Sequence, residues 1–299
     1  MVMMNVLGVL VPIFGLILIG WFLKRIRLLN DWLVGAINNY VYYIGISVIT
    51  FISLHDTSTS VLLDPGIYIL NLVPMLLTAG IAYVVAKMLK LPKDMSAVFI
   101  VCAFYGNTGY IGFPLNVFVQ GKSSLNTAAF ISTLYTIVVF TLGVYILRRN
   151  TSEPVEAGKL HKLPIIWAAL LGILLSWLTI PELVRMPLEL ISDSTSPLAL
   201  LATGAMAEGA ALKADLKNIG ILSAIKLALA PALVAFTGLL LGSTGVIYKT
   251  SLLEAATPVA VTNSVLASQF KMREEFASHA VIISTALFAI SLAIILTFI

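Results

Sequence analysis

Charge is scarce in this chain. Of its 299 residues, 11% are Asp, Glu, Lys or Arg, less than half the roughly 25% of a soluble domain. Together with 60% hydrophobic residues and a mean hydropathy of +1.03, the shortage excludes an ordinary soluble globule and leaves a polytopic membrane protein. Cysteine is nearly absent. Cys102 stands alone in an apolar run, which excludes an intramolecular disulfide and any cysteine-based metal cluster; it reads as a small buried hydrophobe. Acidic residues gather at the ends of apolar stretches, and no Asp lies within a span core. An intramembrane protease or lipid transferase needs paired acids, a Cys/His cluster or an activated nucleophile, and none is legible. The net charge of +4 comes without a basic cluster interleaved with aromatics, so nucleic acid is not an expected partner. No basic segment precedes the first apolar run, which argues against a cleaved secretory signal.

What the chain has in abundance is long apolar runs. A bilayer span needs about 20 such residues, and ten candidates follow: 3–23, 32–54, 66–86, 95–120, 124–147, 164–180, 188–207, 218–241, 249–269 and 276–299. Fourteen of the 18 basic residues then fall in loops on one side, three (Lys122, Arg185 and Lys249) fall on the other, and Lys226 lies inside a span. Basic loops stay cytoplasmic, so both termini are expected outside the cell membrane. The pattern predicts a five-helix repeat over 1–147, a cytoplasmic linker over 148–162 and an inverted second repeat over 163–299. Pro12 and Gly20 in the first span are matched by Pro164 and Gly172 in the sixth.

The fourth span carries the strongest local signal. Its centre reads GNTGYIGFP, from Gly106 through Gly109 and Gly112 to Pro114. Glycine costs a helix about 1 kcal/mol and proline about 3 relative to alanine. Irregular backbone survives at membrane depth only where protein buries it or it lines a cavity. The ninth span has a counterpart, Pro258 followed by Thr262 and Asn263. Interrupted helices at matching places in two halves point to a transport site. Two breaks crossing at the midplane bring four half-helices together. Helix N-termini suit an anion there, with Asn107, Thr108, Thr262 and Asn263 as the nearby polar side chains. The alternative for the glycines is close helix packing, and for the threonines a bond to their own helix backbone.

Among ionisable residues, Lys226 stands about one turn before Pro231. Intramembrane lysine is a functional hypothesis by default. It reads as a counter-charge for an anion, a partner for an acid, or a lysine that snorkels to the cytoplasmic interface. Glu254, Glu208 and His279 read as interfacial residues, with a gate or proton site as the alternative.

These residues resemble the auxin efflux carrier family, which contains plant auxin exporters and bacterial carriers of small organic acids such as malonate and malate. Asn107-Thr108, Gly112, Pro114 and Leu115 match its N-T-x-x-x-G-x-P-L signature, and the resemblance covers nearly the whole chain. Pro258 with Ala267, Lys226 with Pro231, and Pro197 with Gly204 support it through their order. The resemblance implies an all-α fold of ten helices in two inverted repeats with helices 4 and 9 crossing, like the bile-acid symporters and sodium-proton antiporters. It implies a scaffold of helices 1, 2, 6 and 7, which often forms a homodimer interface, and a mobile transport domain of helices 3–5 and 8–10. It also implies substrate contact at Asn107 and crossing prolines at Pro114 and Pro258. Ser47 stands where many relatives have a proline in helix 2, and Asn263 where plant exporters have a second proline. Both departures lie close to the expected site and point away from the plant aromatic substrate.

The expectation is a secondary transporter, not an enzyme, for a small organic anion: a mono- or dicarboxylate, auxin-like acids included. Its helix 4/9 crossing binds the anion and elevator-type movement alternates access. No cofactor is implied, and the coupling ion, proton or sodium, is left open. A sodium-coupled symporter of the bile-acid type and a sensor that binds without translocating are the rivals.

Overall fold

The computed structural model describes residues 2–57, 59–151, 164–207 and 215–297. Glu208, Lys159, Lys162, Lys213 and all but the first residues of the 148–162 linker lie outside the described residues. The described residues are helical, and they contain one isolated antiparallel bridge, Gly106 to Val259.

The helices are α1 (Val2–Arg25), α2 (Asp31–His55), α3 (Pro65–Met88), α4 (Lys93–Phe104), α5 (Phe113–Gln120) and α6 (Lys122–Asn150). Then come α7 (Pro164–Leu174), α8 (Glu182–Ala207), α9 (Leu216–Leu241), α10 (Gly245–Ala256), α11 (Val261–Gln269) and α12 (Glu274–Ile295). By length and composition α2, α3, α6, α9 and α12 can each cross a membrane. Local chemistry sets their starts. Asn30 accepts from the Leu33 amide at 2.8 Å to begin α2, and Asp64 accepts from Gly66 at 2.8 Å, with Pro65 following, to begin α3. Such caps satisfy amides that have no intrahelical partner. Gly242, at φ +63°, closes α9 in the left-handed conformation, where glycine has no Cβ to clash. Arg27, Lys90 and Lys271 adopt the same region after α1, α3 and α11; there a basic side chain complements the negative helix end.

Two expected spans have different limits. The polar stretch Ile191–Pro197 lies within α8, not at its start. Ser194 and Thr195 hydroxyls return hydrogen bonds to the Ile191 carbonyl at 2.8 and 2.7 Å, so the helix carries them without leaving polar atoms stranded. The apolar run from 164 to 180 is helical only as far as Leu174 and then turns, with Ser176 Oγ bonding the Ile173 carbonyl at 2.8 Å. Helices α2, α6 and α9 each contain a π turn, at Tyr40–Gly45, Val139–Gly143 and Ile225–Leu229. Each adds a residue to the turn and re-aims the side chains beyond it.

The chain folds into two compact units, each drawn from three segments. The first comprises Met1–Leu63, Gly109–Thr133 and His161–Ala210. Its α1 and α8 lie backbone to backbone: a Cβ at Gly20 would strike the Leu201 carbonyl, and one at Gly204 the Ile17 carbonyl. Gly172 of α7 meets the Phe51 carbonyl of α2 in the same way. Small residues permit such close approach between helices where hydrophobic driving force is weak. Around His55, polar contacts close the end of α2. The ring bonds Asp56 at 2.8 Å and the Leu178 carbonyl at 2.9 Å, while Arg185 bonds Asp56 at 2.6 Å and Glu189 at 2.8 Å.

Burial pushes the Asp56 carboxyl up, and hydrogen bonds from Arg185 and His55 outweigh it, so its pKa lies below the ordinary 3.8. A depressed carboxyl pKa contributes stability that is present above the unfolded value and lost as pH falls through the folded one. Arg185→Gln is therefore expected to lower Tm by about 1–3 °C near neutral pH. The gap to wild type should shrink only as pH falls below about 4 and through the depressed folded value; a gap unchanged to the acid end of thermal-unfolding scans contradicts the assignment.

The second unit comprises Asp64–Thr108, Leu134–Leu160 and Ala211–Ile299. Leu70, Val234, Leu252, Ala255, Ala256 and Ile295 form an apolar cluster joining α3, α9, α10 and α12. Beside it Asn71 donates to the Ile67 carbonyl at 2.7 Å and to Ser251 Oγ at 2.9 Å, and accepts from the Tyr135 hydroxyl at 3.2 Å. That network ties α3, α6 and α10 with its polar groups satisfied, as burial requires. At the surface Arg273 pairs with Asp94 at 2.6 Å.

Candidate transport site at the paired helix breaks

Within the second unit, α4 stops at Phe104 and α10 at Ala256, and each continues into a short extended stretch. The two stretches run antiparallel. The Asn107 amide donates to the Pro258 carbonyl at 2.8 Å, and the Ala260 amide donates to the Tyr105 carbonyl at 3.3 Å. Gly106 and Val259 are thus a non-hydrogen-bonded pair, the kind that brings Cα atoms nearest, to about 4.5 Å. Glycine fits this place. A Cβ on Gly106 would overlap Thr257 Oγ1 and lie 2.8 and 2.9 Å from Cε and Nζ of Lys226.

Proline fits its place too. Pro258 stands where the ladder asks only for a carbonyl, so its missing N–H is not needed. A continued helix would have paired that N–H with the carbonyl of Glu254. Thr257 takes it over, through its amide at 3.3 Å and its hydroxyl at 2.7 Å. The Val259 amide, which points out of the pair, donates to Ser284 Oγ of α12 at 3.0 Å. The unwound backbone is held at each of these points, as buried polar groups must be.

Helix α11 begins at Val261, directly after the extended stretch. Asn263, in its first turn, is 2% exposed and donates through Nδ2 to the Tyr105 carbonyl at 3.0 Å. Its Oδ1 is buried and accepts no hydrogen bond from the described residues. Asn107 and Thr108 are buried, and Thr262 is half-buried. The C-terminal ends of α4 and α10 and the N-terminal end of α11 therefore converge on Asn107, Thr108 and Asn263. Gly109 and Gly112 lie in a π turn, Thr108–Gly112, and Pro114 in the first turn of α5; these residues after Thr108 belong to the first unit. So does Ser47, on α2, whose hydroxyl has no partner among the described residues and which lines an apolar cavity of about 560 Å³ with Tyr43, Phe51 and Trp167.

One reading of Lys226 falls away, and one expectation, that of Glu254, is corrected. Lys226 does not snorkel to an interface: it is 1% exposed, and its ammonium donates to the Ala255 carbonyl at 2.5 Å. The π turn at Ile225–Leu229 presents it, and the carbonyl that Pro231 frees, Leu227, accepts from Ser291 Oγ at 2.6 Å. Glu254 is not interfacial either; its surface is fully buried, beside the core cluster and within electrostatic reach of Lys226. The signal available in the sequence was its position one turn before Pro258.

The paired breaks thus offer amide side chains and helix ends as polar groups, and the described residues hold no group of three or more His, Cys, Asp or Glu that could bind a metal ion. The chain matches the family described as membrane transport protein over residues 5–159 and 155–296. An "uncharacterized transporter" of Methanothermobacter thermautotrophicus is 26% identical over 296 residues, covering 96% of this chain and 95% of that protein. A second "uncharacterized transporter", of Methanocaldococcus jannaschii, is 24% identical, covering 90% of this chain and 91% of its own. A Rhizobium meliloti protein named "Putative malonate transporter" is 24% identical, covering 95% and 93%. The molecule is a multi-pass membrane protein of the transporter class. The chain belongs to the membrane transport protein family, the auxin efflux carriers.

Proposed function

We propose that this chain is a secondary transporter of a small organic anion, a mono- or dicarboxylate, bound at the crossing. The observation that carries the proposal is the pairing of the two extended stretches through Asn107, Pro258, Tyr105 and Ala260, with Asn107 and Asn263 beside the first turn of α11. Amides donate to a carboxylate without the desolvation cost of a full positive charge, and a helix N-terminus favours negative charge. The Rhizobium meliloti relative's name directs the first choice of probe to malonate.

The ten apolar stretches are arranged as two inverted five-helix repeats with both termini outside the cell membrane. Helices 1, 2, 6 and 7 act as a scaffold and homodimer surface, and helices 3–5 and 8–10 as the part that moves, in an elevator-type exchange. The division of the chain into two interleaved units supports this separation for helices 1, 2, 6 and 7 against helices 3 and 8–10, whereas Gly109–Thr133 groups with the first unit. The crowding of basic residues into alternate loops supports the orientation.

The test is uptake of labelled malonate into proteoliposomes. Asn107→Ala is expected to lower uptake at sub-saturating substrate by about tenfold or more, the scale of one hydrogen bond to a charged group. Unchanged uptake in a variant that elutes and melts like wild type would sink the proposed site.

A further inference from the structure

The paired breaks hold the amine of a buried lysine, Lys226. Unwound carbonyls and the C-terminal ends of half-helices are where transporters coordinate coupling cations, because the last carbonyls of a helix carry partial negative charge. The end of α10 is such a place. Its Glu254 carbonyl is closed by Thr257, and its Ala255 carbonyl takes the Lys226 ammonium. The ammonium lies against Gly106 of the opposite break, since a Cβ there would come within 2.9 Å of Nζ. The side chain of Glu254, one residue before Ala255, is fully buried beside it. The lysine's own position is built: a π turn aims it, and Ser291 bonds the Leu227 carbonyl of that turn, which Pro231 just beyond it leaves open. Buried charges persist when they are paired, and here the pairing partner of the helix end is covalently attached.

We propose that Lys226 is a tethered cation occupying a monovalent-cation site at the end of α10, so that this crossing works without free Na⁺ or K⁺. Shortening the side chain vacates the position of the ammonium. It leaves the Ala255 carbonyl and Thr257 Oγ1 as the oxygens of a vacated position that a free monovalent cation enters. The statement about transport rests on the function proposed above, whereas the statement about cation binding does not.

The experiment has two arms, on the full-length purified chain. In the first, thermal unfolding in detergent is compared in NaCl, KCl and choline chloride at equal ionic strength. Lys226→Ala and Lys226→Met are expected to melt below wild type in choline and to gain about 5 °C in NaCl or KCl, because a ligand bound only to the folded state stabilises it by mass action. Wild type and Lys226→Arg should shift by less than about 1 °C. Variants that gain no more than wild type, or that fold in none of the three salts, overturn the proposal. In the second arm, malonate uptake by wild type should be equal within about twofold in the three salts, and Lys226→Ala uptake should require Na⁺ or K⁺. A wild-type uptake that rises several-fold with Na⁺ overturns tethering. If wild type takes up no malonate, the proposed substrate fails, and the thermal arm still decides the cation site.

Discussion

A valine at Gly106 is expected to abolish uptake while leaving the rest of the second unit folded. The position is the non-hydrogen-bonded pair of the two extended stretches, so its Cα faces Val259 across the narrowest part of the ladder. The first added carbon already overlaps Thr257 Oγ1, a short side chain fixed by its bond to the Glu254 carbonyl, and presses on the end of Lys226, fixed by the Ala255 carbonyl. Neither neighbour gives way without losing a buried hydrogen bond. Overpacking of this kind costs about 1–3 kcal/mol, enough to open the crossing and small enough to spare the helices around it. Alanine, which adds one carbon, should reduce uptake less than valine. Proteoliposome uptake and thermal unfolding measured together check this, and wild-type uptake by Gly106→Val contradicts it.

The second large effect is expected in the other unit. Gly204→Ala and Gly20→Ala each place a Cβ on a backbone carbonyl of the facing helix. Gly204 meets Ile17, whose carbonyl carbon lies 2.6 Å from the added atom; Gly20 meets Leu201, at 2.8 Å from its carbonyl carbon. Backbone has no rotamer to change, so α1 and α8 must move apart along their contact. A loss of about 3 kcal/mol or more is expected, seen as a lower melting temperature or failure to accumulate in the membrane. The chain supplies its own controls. Gly8 and Gly15 lie on α1 as well, and a Cβ added at either would have nothing within 4 Å. Alanine there should be neutral or stabilising by about 0.5–1 kcal/mol, the usual helix preference for alanine over glycine. Equal effects at all four positions would show that the close approach is not what Gly20 and Gly204 provide.

Much of the architecture is legible in the sequence because hydropathy and helix punctuation are local. The long runs behind α2, α3, α6, α9 and α12 announce themselves. Pro258 announces that some backbone nearby cannot be helical. What no local rule reveals is which carbonyls and amides find each other afterwards. The bonds from Asn107 to Pro258 and from Ala260 to Tyr105 span more than 150 residues of chain. The same limit hid Glu254. In the sequence Glu254 reads as an interfacial residue near the end of a span, whereas packing against α3 and α12 buries it completely, together with Thr250 and Ser251. The π turns are equally silent, since one added residue per turn leaves composition unchanged; only the direction of Lys226 reports it. Gly106 was visible as a glycine but not as the residue that must face Val259.

The pairing of the two stretches also fixes their lengths. In an extended ladder successive side chains point to opposite faces, so a shift of one residue exchanges the faces. A single residue inserted between Tyr105 and Asn107, or between Pro258 and Ala260, would turn Asn107 or Asn263 away from its neighbours and carry Gly106 off the lysine. Surface loops elsewhere in the chain can grow or shrink at little cost. Here drift in one segment demands a matching change in a partner on the far side of the sequence, and the two breaks can be altered only as a pair.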